Sequence, residues 1–141
     1  LMNGESLRMW AEYFEGNVYG IDCDLKPIDG LADLTGAIAD GLNIVIGDAT
    51  NPMDIAKFFT GIKFDVIIED ANHDPLQQQQ IYLALKPYLA DGSIYIIEDV
   101  VPKDGVITLF EGIDPESEVT ILDRRHIKNR FDDCIIIIRN K

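Results

Sequence analysis

Four places in this 141-residue sequence set a carboxylate at the end of a short apolar run: Asp22 after residues 18–21, Asp48 after 43–46 and Gly47, Glu69 and Asp70 after 64–68, and Glu98 and Asp99 after 93–97. An acid at any one of them is well explained as a cap for the helix that follows. Four in succession point to a shared rim. If the runs at 64–68 and 93–97 are neighbouring strands, about 5 Å apart, the oxygens of Asp70, Glu98 and Asp99 can converge on one hard cation. Crowded carboxylates need either a metal or protonation to relieve their repulsion, and magnesium suits an all-oxygen donor set. His73 stands three residues after Asp70. Its imidazole titrates near neutrality, so beside a metal it can take a proton from a hydroxyl; a histidine before a helix can equally just cap or pack.

Asp22 has a second chemistry open to it. A carboxylate after an early strand of a nucleotide-binding α/β unit can accept from both hydroxyls of a ribose. Gly4 and Ser6 open the first helical pattern, where a glycine lets backbone approach a ligand at a helix N-terminus. Arg124, Arg125, His126, Lys128 and Arg130 cluster near the C-terminus. That cluster reads as a solvated hairpin loop, or as a contact for an anionic acceptor or a cofactor carboxylate in an otherwise negative protein.

The elements that must position these groups alternate. Leu7, Trp10, Ala11 and Phe14 share one helical face over residues 6–14, and Gly16 stops it. Strands are predicted at 18–21, 43–46, 64–68, 93–97, 118–122 and 134–138, and a short helix near 31–39. Asn51, Pro52 and Asp54 form a helix start for residues 52–59, and Asp74 with Pro75 starts another. The second carries Gln77 to Gln80, expected as a solvated face; Pro87 and Gly92 mark its exit, and a further helix is expected after Pro102. Strand and helix in alternation imply an α/β fold: an open sheet of parallel strands with helices on both faces. In such sheets ligands bind beyond the carboxyl ends of the strands, where the acids lie.

Composition narrows the partners. One domain of this length suffices for one core. With 25 acidic and 12 basic residues the formal charge is −13, which repels nucleic-acid backbones and anionic membranes. No apolar run reaches the length of a membrane span. Cys23 and Cys134 lie far apart beside or within strands, as buried free thiols of a reducing compartment would, and a cytoplasmic location is expected. A homo-oligomer is compatible with all of this.

The runs GESLRMWAEYF, VYGIDCD, GDAT, FDVIIEDANH and IYIIEDV, from Gly4 to about Val100, resemble the class I S-adenosylmethionine-dependent methyltransferases. The likeness is to the magnesium-dependent macrolide-sugar and rhamnosyl O-methyltransferases and cephalosporin hydroxylase-like proteins. It implies a Rossmann-like methyltransferase sheet, mostly parallel with a final antiparallel strand, and S-adenosylmethionine and Mg2+ as cofactors, with a small-molecule hydroxyl acceptor, a sugar. It implies Asp70, Glu98 and Asp99 as metal ligands and His73 as the base. On the cofactor side it implies Gly4 and Ser6 near the methionine moiety, Asp22 at the ribose, Asp48 at the adenine, and Asp70. Two departures stand out: Glu-Asp-Ala-Asn-His replaces the commoner Asp-Asp-Gly-Ser-His, and the first strand with its Glu-x-Gly lead is absent, so residues upstream of Leu1 are expected. Three alternatives remain: a catechol-type O-methyltransferase, in which a lysine would replace His73 and an Asp-Asn pair the Glu-Asp; a nicotinamide dehydrogenase, in which Glu98-Asp99 has no role; and a non-catalytic methyltransferase-like binding domain.

Overall fold

The computed structural model describes residues 5–23, 42–101 and 110–141. They fall into two compact units, Leu1–Phe58 and Phe59–Lys141. The helices expected near 31–39 and after Pro102 lie outside the described residues, as does Gly4.

In the first unit, helix α1 (Glu5–Tyr13) precedes strand β1 (Val18–Asp22), and β2 (Leu42–Ile46) lies parallel to β1 with Val18 opposite Leu42 and Asp22 opposite Ile46. Helix α2 (Pro52–Phe59) starts as its sequence requires. The Asn51 side chain accepts from the Met53 N–H at 3.0 Å, and Pro52 sits in the first turn, where its missing N–H is no loss.

The second unit holds a four-stranded sheet of order β3-β4-β6-β5. Strand β3 (Phe64–Glu69) runs parallel to β4 (Leu89–Ile97), while β6 (Cys134–Arg139) is inserted antiparallel between β4 and β5 (Glu118–Asp123). The expected final antiparallel strand is therefore present. Between β3 and β4 lies helix α3 (Pro75–Leu85), capped by Asp74, whose carboxylate accepts from the Leu76 and Gln77 N–H groups. A 3₁₀ turn, Lys86–Tyr88, follows. A one-turn helix α4 (Arg125–Lys128) sits between β5 and β6.

Alternation sets the core. Tyr95 and Ile97 of β4 pair with Ile138 and Ile136 of β6, and all four are fully buried on one face. Tyr82 of α3 meets that face edge-on, with its ring 5.0 Å from that of Tyr95. Burying each such side chain stabilises by roughly 2 kcal/mol.

Three expectations need correction. Strand β4 begins at Leu89 rather than Ser93, because Phe64 already pairs with Leu89; residues 90–92 then form an irregularity that Gly92 accommodates at φ +73°. The four glutamines are not one solvated face: Gln78 is fully buried, since it shares a helical face with Ile81, Tyr82 and Leu85. Cys134 is buried, but Cys23, one residue past β1, is exposed.

Candidate metal and acid-base site

The rim of the second sheet is built by three chain ends. Strand β3 delivers Glu69 inward and Asp70 outward, as successive residues of an extended chain must. Glu69 is 5% exposed, whereas the Asp70 side chain is 56% exposed. The next four residues are held by local bonds that need no distant partner. The Ala71 N–H donates to Glu69 Oε1 at 3.0 Å, the Asp74 N–H to Asn72 Oδ1 at 3.1 Å, and the Asn72 amide to Gln77 Oε1. His73 lies inside this brace.

Strand β4 contributes Glu98 and Asp99. The Glu98 N–H donates to the Glu69 carbonyl and the Val100 N–H to the Cys134 carbonyl, each at 2.9 Å. Pinned on both sides, Asp99 takes a left-handed backbone at φ +49°, a conformation aspartate tolerates better than most side chains but which still costs energy. Buried Gln78 adds a third restraint by donating to the Glu98 carbonyl at 3.2 Å.

Because β6 is antiparallel, its beginning lies at the same rim as the ends of β3 and β4. That brings in Arg130 and Asp132. Arg130 Nε is 3.2 Å from Asp132 Oδ1, while Nη2 is 3.3 Å from Asp132 Oδ2 and 3.1 Å from Asp99 Oδ2.

His73 sits in the middle. Its Nε2 is 3.6 Å from Asp70 Oδ1 and 3.9 Å from Asp99 Oδ2; its Nδ1 is 3.8 Å from Asp132 Oδ2. All three are longer than a hydrogen bond. One ligand atom from each of Asp70, His73 and Asp99 lies within 4.8 Å of the others, and among the described residues this is the group suited to a metal. Glu98 falls outside that group. Its carboxyl is nevertheless pushed up, first by burial and then by the charges of Asp70 and Asp99. The structure thus joins His73 to two of the three expected carboxylates. A set of two carboxylate oxygens with a neighbouring acid fits a hard divalent ion, and the imidazole nitrogen suits a borderline one.

The cofactor-side residues belong to the first unit, apart from Asp70. Ser6 is exposed in the first turn of α1, and Asp22 ends β1 half-buried, with its carbonyl accepting the Gly47 N–H at 3.0 Å. Asp48 is exposed. Its Oδ1 accepts from the Thr50 N–H and hydroxyl at 2.8 and 2.6 Å, which hold its carboxyl below the usual range.

Of the basic cluster, Arg125 pairs with Asp123 at 2.6 Å and Arg124 approaches Asp133 at 3.9 Å, as in a solvated hairpin, whereas Arg130 reaches the rim. Asp132 was not anticipated. Its signal was the Asp132-Asp133 pair placed just before the last strand, a position equivalent to a strand end once that strand runs antiparallel.

Comparison with known proteins bears on the fold. Among solved structures, the O-methyltransferase from Bacillus cereus in complex with SAH matches with a TM-score of 0.75 at 17% identity, covering 99% of this chain and 70% of that one. The MycE methyltransferase of the mycinamycin pathway, solved with Mg and SAH, matches with a TM-score of 0.68 at 19% identity over 98% of this chain and 40% of that one. An rRNA methylase from Streptococcus thermophilus matches at 0.69 with 12% identity, covering 98% and 81%. The chain has a Rossmann-like methyltransferase fold. In sequence it is 30% identical over 99 residues to demethylmacrocin O-methyltransferase of Streptomyces fradiae, which is 69% of this chain and 23% of that protein. It is 31% identical over 104 residues to mycinamicin VI 2''-O-methyltransferase of Micromonospora griseorubida, again 69% and 23%. No family model matches the sequence. The chain resembles the sugar O-methyltransferases and spans about a quarter of the length of these curated relatives. No helix among the described residues is long and apolar enough to cross a membrane.

Proposed function

We propose that this chain is the cofactor-binding core of an S-adenosylmethionine- and Mg2+-dependent O-methyltransferase that methylates a hydroxyl of a sugar or sugar-bearing small molecule. The observation that carries the reading is the convergence of Asp70, His73 and Asp99 at the strand ends of a methyltransferase fold. Asp70 and Asp99, with Glu98 beside them, would hold the metal, and the cofactor contacts expected of Gly4, Ser6, Asp22, Asp48 and Asp70 belong to the same reading. The metal, when bound, makes an acceptor hydroxyl more acidic. His73 is suited to receive the proton, because its Nε2 faces Asp70 and Asp99, the carboxylates that would hold the metal, and an imidazole nitrogen is a general base. The braced 70–74 segment and the pinned Asp99 fix these groups in advance, so alignment of the acceptor oxygen comes from binding rather than from a covalent intermediate. Asp132 Oδ2 lies 3.8 Å from Nδ1, on the far side of the ring.

The charge of −13 favours a small-molecule acceptor over RNA, although rRNA methylases share the fold. A cytoplasmic site of action fits a cofactor made inside cells. The test is turnover of S-adenosylmethionine with a panel of glycosylated acceptors, with and without EDTA. Full activity after chelation would sink the metal-dependent mechanism. Calorimetry showing tight NAD binding and no response to S-adenosylmethionine would favour the dehydrogenase instead.

A further inference from the structure

Asp99 already has a cation. Arg130 Nη2 lies 3.1 Å from Asp99 Oδ2, the same oxygen that faces His73 Nε2 at 3.9 Å. The guanidinium is not loosely placed, because Asp132 grips it from behind at 3.2 and 3.3 Å through both of its oxygens. The exposures are graded: the Asp132 side chain is 10% exposed, Asp99 28% and Arg130 50%. The anchor is therefore buried, and the arginine it holds is half open to solvent. Asn129, immediately before Arg130, turns the chain in a left-handed conformation at φ +53°, which brings the arginine back toward the rim.

A magnesium-sized ion sits about 2.1 Å from a carboxylate oxygen. With Arg130 at 3.1 Å from the same oxygen, two cations would crowd one another at a distance where repulsion is large. Oδ2 has lone pairs for both, but the repulsion means that each weakens the other's hold on it. We propose that Arg130, positioned by Asp132, is a built-in counter-ion for Asp99 that a divalent cation displaces on entering the Asp70–His73–Asp99 group. This rests on the metal-site reading proposed for the rim and adds a residue to it. In the metal-free protein the arginine offsets part of the negative charge at Asp99; on displacement it stays tethered to Asp132.

The experiment is Mn2+ binding, followed by the electron paramagnetic resonance of free Mn2+, for the wild type and for Arg130→Gln, Arg130→Lys and Asp99→Asn, with thermal melts of each to verify folding. Arg130→Gln should bind Mn2+ roughly fivefold more tightly, the upper end of what a half-exposed ion pair supplies. The gain should persist in 0.5 M NaCl, because a contact ion competes for the oxygen itself, whereas long-range repulsion is screened within about 4 Å at that ionic strength. Arg130→Lys keeps the charge but cannot bridge Asp132 and Asp99 as a fork, so it should fall between the two; it also serves if the glutamine variant does not fold. Equal affinity of wild type and Arg130→Gln, with binding lost in Asp99→Asn, overturns the counter-ion role and leaves the metal site standing. A gain that vanishes in high salt overturns direct displacement. Absence of binding in every variant overturns the metal site and the counter-ion together.

Discussion

Glu69 and Asp114 are both buried carboxylates of the second unit, 5% and 2% exposed, and their surroundings are opposite. Asp114 stands before β5 and is surrounded by donors. The Tyr82 and Ser117 hydroxyls each reach it at 2.7 Å, Lys86 Nζ at 3.0 Å and the Glu116 N–H at 3.1 Å. Burial alone would raise its pKa, but these hydrogen bonds overcome it and hold the carboxyl well below the usual range. Glu69 ends β3 with one oxygen bonded to the Ala71 N–H and the other, Oε2, buried with no hydrogen-bond partner among the described residues. Burial pushes it up to about 7, and the Asp70 charge adds to the shift. One acid ties α3, the 3₁₀ turn and the segment before β5 together. The other belongs to a rim where charge is left incompletely satisfied, and that incompleteness is what a metal, a proton or a substrate can use.

If the rim carries the chemistry and the Asp114 knot carries stability, substitutions should separate cleanly. The largest effect is expected from His73→Ala, with methyl transfer falling about a thousandfold while the melting temperature changes little, since general-base contributions are of that order and the ring is more than a third exposed. Asp99→Asn should behave alike and also lose metal. A His73→Ala protein that melts early yet turns over normally would reverse the comparison.

Next in size is Asp114→Ala, expected to cost about 3 kcal/mol of stability, because it leaves the Tyr82 hydroxyl buried without its acceptor and removes a partner of Lys86. The sign with pH follows from the lowered pKa. The carboxylate's contribution is fully present above the unfolded value of 3.8 and is lost as pH falls below it. Denaturant titrations at pH 7 and pH 3 should therefore show the variant's deficit shrinking in acid.

Glu69→Gln tests the other acid with the opposite sign. A pKa raised from 4.5 to about 7 means the folded state holds a proton that the unfolded chain releases, so stability declines as pH rises through that interval. The glutamine variant should match the wild type near pH 4 and be more stable by about 2 kcal/mol at pH 8 in the absence of metal. Equal stability at both pH values would show that Glu69 is satisfied after all.

The two regions also differ in how far they could be read from sequence. Asp74 with Pro75 and Asn51 with Pro52 were legible because a cap bonds to N–H groups two or three residues away. The carboxylates Asp70 and Asp99 were legible because an apolar run followed by an acid reports a strand end. The link between Arg130 and Asp99 spans 31 residues and depends on β6 being inserted antiparallel between β4 and β5. No local pattern encodes that. His73 rather than Glu98 joins Asp70 and Asp99 in the converging trio, and Asp99 takes its left-handed backbone between two inter-strand hydrogen bonds that no local pattern announces. The buried Gln78 was hidden by its three like neighbours, because helical phase and not composition decides which of four glutamines turns inward.

The smallest expected effect extends the contrast between filled and open surroundings to the first unit. Gly47 follows β2, and a Cβ built there would lie 3.0 Å from Phe58 Cε2 and 3.4 Å from both Asp54 Cβ and Ile21 Cδ1. Gly16, in the same unit, would meet nothing within 4 Å. Gly47→Ala should therefore cost about 1 kcal/mol by forcing the Phe58 ring aside, at the lower end of the penalty for overfilling a packed site. Gly16→Ala should be neutral or stabilising by about 0.5 kcal/mol through the entropy of the unfolded chain. Asp48 follows Gly47 directly, and its N–H donates to Asp54 Oδ2 at 2.9 Å, so a shift of the Gly47 backbone would carry Asp48 with it. If Asp48 lies against the adenine, Gly47→Ala should weaken S-adenosylmethionine binding in calorimetry beyond what its loss of stability explains, and Gly16→Ala should leave it unchanged. Unaltered cofactor affinity in Gly47→Ala, alongside the expected loss of stability, would confine Asp48 to its bonds with Thr50 and Asp54.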